Sequence, residues 1–163
     1  MKKFILAMAA LTFSFGVMSA QDLASATATY NSGAEALTMG NKTSALEYFQ
    51  KALTMAESLG EEGAEVVTNC KNAIPSVILS IGKEFYNNKD FTNAKAKFVE
   101  AAEVAKKYGN EEVTAEVESL LPTVGKRIAL AKVNEAMKNK DIAGVLAGYE
   151  EAMAIDTTDA NTA

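Results

Sequence analysis

The chain has 163 residues, 16 basic and 21 acidic side chains, a formal net charge of −5, one cysteine and no histidine. An acidic chain lacks the basic stripe that neutralises phosphates, so nucleic acid is excluded as a partner. Without histidine there is no Ser-His-Asp or Cys-His pair. A lone cysteine makes neither an internal disulfide nor a thiolate metal cage, and no cofactor or metal is expected.

Lys2 and Lys3 precede an apolar run, 4–17, and "MSA" leads from it into polar Gln21-Asp22. This is the layout of a cleavable export signal covering 1–20, although Met18 stands where a small residue is preferred. The run is too short for a membrane-spanning helix, which needs about 20 apolar residues. Localisation is therefore expected to be periplasmic or secreted, in a bacterial setting, with no membrane span in the mature chain. Removing the leader leaves 14 basic against 21 acidic residues.

The mature chain, 21–163, is long enough for one domain with an apolar core. Its turn signals are "MGNKTS", "YNNKDFTN" and "MKNKDIAG". Asn41-Lys42-Thr43 fits a glycosylation sequon but is better explained as one of these turns. After each turn a small residue, an aromatic four later and an alanine three later share one helix face. The sets are Ala45, Phe49, Ala52; then Ala94, Phe98, Ala101; then Val145, Tyr149, Ala152. Ahead of each turn stand Gly33, Gly82 or Val133, followed by Ala36, Phe85 or Ala136. Small residues let two backbones approach while the aromatic fills the gap, so each turn folds one helix back along another.

The leading positions of the sets fall 49 and then 51 residues apart. The spacing is filled by apolar residues in helical phase. They are Val67, Cys70, Ile74, Val77 or Ile78, Ile81 and Phe85 in the second unit, and Val113, Val117, Leu120 or Leu121, Val124 and Ile128 in the third. Both runs pass through a proline, Pro75 and Pro122. A continuous helix kinked at each proline is the favoured reading, and a new helix begun at each proline is the other. The third first helix has four more residues after its proline, close to one turn. "LGEEG" (59–63) and "YGNEEV" (108–113) join one hairpin to the next, each with a helix-ending glycine.

The segments "ALEYFQKAL" (45–53), "AKAKFVEAA" (94–102) and "VLAGYEEAM" (145–153) resemble the second helix of the tetratricopeptide repeat, whose pattern is A-x3-F-x2-A. Departures are Val133 for glycine, Val145 for alanine, no helix-A tryptophan, and a period longer than the usual unit of about 34 residues. The resemblance implies an all-α fold, a right-handed α-solenoid of three hairpins at about 22–60, 61–109 and 110–156, with elongated, proline-kinked first helices. It also implies a non-enzymatic scaffold that binds a peptide or protein segment on a concave face lined by the first helices. Tyr30, Asn31, Leu79, Lys83, Tyr86, Asn87, Asn134 and Lys138 are the expected partner-binding residues. The lysine and asparagine set with which some members hold a terminal carboxylate is not cleanly reproduced.

The alternative is a self-associating structural protein, or the first part of a longer repeat protein. The last helix is expected to leave Val145, Leu146, Tyr149 and Met153 partly uncovered, which suits a homodimer through the C-terminal hairpin. Cys70 is expected to be a buried structural thiol. Met39, Met55, Met137 and Met153 are expected in or near the core. The pairs Glu61-Glu62, Glu111-Glu112 and Glu150-Glu151 read as helix starts or solvated faces rather than a catalytic dyad.

Overall fold

The computed structural model describes the backbone of residues 2–160 and the side chains of residues 20–155. The expected leader lies, apart from Ala20, outside the residues whose side chains are described. Among the described residues the protein is all-helical, with no strand. Its α-helices are α1 (Lys2–Thr38), α2 (Lys42–Glu57), α3 (Ala64–Asn87), α4 (Phe91–Tyr108), α5 (Glu111–Lys138) and α6 (Ile142–Ala160). A 3-10 turn, Gly60–Gly63, links α2 to α3.

Local chemistry sets the helix boundaries. The side chains of Asn41, Asp90, Asn110 and Asp141 each accept a hydrogen bond from the backbone N–H three residues on, at 3.0–3.2 Å. Each bond satisfies a donor that a helix start leaves free. Immediately before each of these caps the backbone is left-handed, at Gly40, Lys89, Gly109 and Lys140 (φ 79°, 64°, 73° and 57°). The α4 terminus closes on Gly109 at φ 73°, and Asn110 N–H donates back to the Ala105 carbonyl at 2.8 Å. The helix-ending glycine read from "YGNEEV" therefore works through its left-handed backbone.

Two compact units divide the chain, Met1–Val77 and Ile78–Ala163, with the boundary inside α3. In the first, α1 packs along α2 and both touch the 3-10 turn. Phe49 is 2% exposed and rests against Gly33, where a Cβ would lie 2.7 Å from its ring. Tyr30 also meets Phe49, with ring centroids 5.1 Å apart and planes tilted by 44°. Gly63 packs directly on the Ala56 carbonyl, leaving no room for a side chain. Cys70 is fully buried, and burial pushes its thiol up from an ordinary 9.0 to about 11.

In the second unit α5 packs on both α4 and α6. Phe98 is 1% exposed and sits over Gly82, whose Cβ would be 2.6 Å from its ring. The third pair inverts this arrangement. Val133, 2% exposed on α5, nests on Gly148 of α6, where a Cβ would be 2.6 Å from the valine methyl. Tyr149, the aromatic of the third set, is 47% exposed, in line with the expectation that the last helix leaves it partly uncovered. The bulk has moved from the second helix to the first, and the space has moved the other way.

Pro75 and Pro122 both lie inside unbroken helices, so neither starts a new one. The four extra residues of the third first helix are present, since α5 has 28 residues and α3 has 24. The methionine expectation needs correcting. Met39, Met137 and Met153 are exposed, while Met55 is half-buried. Met39 follows the last residue of α1, and Met137 stands in the last turn of α5. Met153, on α6, is 68% exposed.

Candidate functional site: a basic cleft beside α5

Near the end of α3, two features bring polar side chains toward α5. The turn at 88–90 reverses the chain, so Lys89 at positive φ and Phe91 at the start of α4 stand beside Tyr86 and Asn87. Tyr86 meets Phe91 edge-on, with centroids 5.3 Å apart and planes at 64°, which forms an aromatic wall. On α5, Arg127, Leu130, Ala131 and Asn134 recur at helical spacing and share a face. These eight residues enclose an open cleft of about 460 Å³ within the second unit. That volume is comparable with pockets that hold small ligands or a few side chains.

The cleft has an apolar lining at Phe91, Leu130 and Ala131, and polar groups around it. Asn87 and Asn134 each offer an amide that both donates and accepts. Lys89 and Arg127 offer cations, and the guanidinium suits two parallel hydrogen bonds to a carboxylate. Among the described residues neither cation forms an ion pair. Other lysines of the unit do. Lys83 pairs with Glu116 at 2.5 Å, Lys106 with Glu118 at 3.0 Å, and Lys132 with Glu151 at 2.8 Å. An acidic chain thus leaves positive charge uncompensated at this cleft.

Of the eight residues expected from sequence, the cleft collects Tyr86, Asn87 and Asn134. Lys83 lies on the same helix but is engaged with Glu116, and Lys138 is 3.8 Å from Glu135. Leu79 is a correction: it is 3% exposed and belongs to the core. The helix is buried on more than one face there, since Ile74, Pro75, Val77 and Ile78 are buried as well. Tyr30 and Asn31 belong to the first unit, where Tyr30 is half-buried and Asn31 exposed. Sequence reading missed Arg127, Lys89, Phe91, Leu130 and Ala131. Arg127 had a usable signal, because it is the only arginine in the chain and precedes Asn134 by two helical turns.

The paired glutamates are all exposed, and Glu151 is held by Lys132. No group of three metal-ligating side chains occurs among the described residues. Among them, too, no helix is long and apolar enough to cross a membrane. Comparison of the chain with protein-family models, curated proteins and solved structures finds no match.

Proposed function

We propose that this protein is an exported, non-enzymatic binding module that holds a segment of another protein in the cleft between the end of α3 and α5. The finer architecture belongs to the same proposal: tetratricopeptide-like hairpins in a right-handed solenoid, with the first helix of each hairpin presenting the binding face. One observation carries the reading. Lys89 and Arg127 stand without carboxylate partners in a cleft that also offers two amides and an aromatic wall. A buried or ion-paired cation has already met its desolvation cost, whereas an unpaired one gains from an incoming anion. The segment that fits is short and carries at least one acidic side chain, with an apolar neighbour to lie on Leu130 and Phe91.

The test is an NMR titration of the isotope-labelled protein with hexaglutamate, hexaglutamine and hexalysine peptides. Shifts at the Asn87 and Asn134 side-chain amides are expected with hexaglutamate only. Arg127→Ala should weaken that binding at least about tenfold, the scale of one lost charge-assisted hydrogen bond. Equal shifts with all three peptides, or none with any, would remove the cleft from the proposal.

A further inference from the structure

Building on the binding role proposed above, we infer that the acidic group the cleft takes is a phosphate monoester, carried on a serine or threonine of the partner segment. None of the residues lining the cleft is a carboxylate. Lys89 and Arg127 are exposed, and neither has an ion-pair partner among the described residues. The exposed side-chain amides of Asn87 and Asn134 have no partner among them either.

The acids around the cleft are committed elsewhere. Asp90, between Lys89 and Phe91, caps α4 through the Asn93 N–H at 3.2 Å and accepts from the Asn93 side-chain amide at 2.7 Å. Glu116 holds Lys83, and Glu135, beside Asn134, lies 3.8 Å from Lys138.

One carboxylate neutralises one of the two cations and leaves the other without a counter-charge. A phosphate monoester carries close to two negative charges near neutral pH and has three strong acceptor oxygens. It therefore meets both cations, and it accepts hydrogen bonds from the guanidinium fork, the ammonium and the amides. Two successive glutamates supply the same charge, but neighbouring side chains of an extended segment point to opposite sides, so one cleft receives only one of them. Two cations suit a single phosphate, not the run of phosphates along a nucleic-acid strand. Phe91, Leu130 and Ala131 give the residue beside the phosphate an apolar seat, which favours a segment over a free ion.

The experiment is isothermal titration calorimetry of the full chain with end-capped peptides, Ala-Ala-X-Leu-Ala-Ala, in which X is phosphoserine, glutamate or serine. Inorganic phosphate is the fourth ligand. The phosphoserine peptide is expected to bind at least about tenfold more tightly than the glutamate one, the scale of one added charge-assisted hydrogen bond, and the serine peptide not detectably. Its affinity should rise from about pH 5 to about pH 7, as the second phosphate proton is lost near 6. Affinity for the glutamate peptide should stay level across that window, because the chain has no histidine to titrate there. Lys89→Ala should bring the two charged peptides within about threefold of each other, with helix content by circular dichroism unchanged. Equal affinity for the two, or a phosphoserine preference that survives Lys89→Ala, would overturn the phosphate assignment and leave the acidic-segment reading standing. Inorganic phosphate bound as tightly as the phosphoserine peptide would overturn the segment as its carrier. Binding of neither charged peptide would overturn both readings.

Discussion

At the scale of single residues, space is apportioned between glycine and one large neighbour, and the two arrangements make opposite demands. Gly82→Ala should destabilise the protein by about 1–3 kcal/mol, because the new methyl runs into the Phe98 ring. Gly148→Ala should cost a similar amount, and there Val133→Ala should relieve it, since the obstacle is the valine methyl. A double-mutant cycle by urea denaturation measures both couplings, and additive effects at 133 and 148 would contradict the packing described. Cys70 makes a separate prediction. Its pKa is raised on folding, so its contribution is complete below the unfolded value near 9.0. Between there and about 11 the unfolded chain loses its proton first, and stability falls as pH rises. Unfolding free energies across that window should fall more steeply for the native protein than for Cys70→Ala. The burial of Cys70, Phe49 and Phe98 was legible from helical spacing alone. The exposure of Tyr149 was expected from the partly uncovered last helix, but the inverted fit behind it was not, because nothing in a single helix says on which partner the matching space lies. The pairing of Val133 with Gly148 was the available clue.

At the scale of elements, helix ends follow from local rules and were correspondingly legible. The Asn and Asp residues read as turn signals became N-caps, since each needs only its own backbone three residues on. Asn110→Ala removes the bond to the Val113 N–H and should cost about 0.5–2 kcal/mol, visible as a lowered thermal midpoint. Lys140 holds a left-handed backbone that glycine occupies at the matching Gly40. Lys140→Gly should therefore raise stability by up to about 1 kcal/mol, by relieving a Cβ penalty. A fall in stability would mean that the lysine side chain contributes more than its backbone costs. Both long helices run through their prolines, as the unbroken apolar phase on either side required. A helix begun at Pro75 would have stranded Val66 and Cys70, which are buried in the same helix as Ile78.

At the scale of the whole molecule, charge is the property that singles out the cleft. A net charge of −5 disfavours the approach of acidic segments in general, and Lys89 and Arg127 set two cations on one cleft against that trend. Affinity for an acidic peptide should fall as salt rises from about 0.05 to 0.5 M, because the screening length shortens to a few ångströms. Arg127→Glu should abolish binding without moving the thermal midpoint, as Arg127 is exposed. The cleft was only partly legible from the sequence. Tyr86 and Asn87 stand some forty residues before Arg127, and their proximity depends on three helices folding as they do. The inverted fit of Val133 on Gly148 carries one more implication. The helix pairs look like interchangeable modules, yet they are keyed: α4 transplanted onto α5 would drive an aromatic ring into Val133. Any duplication or shuffling of these units must exchange both helices together, so the pair is the smallest piece of this chain that can be inherited intact.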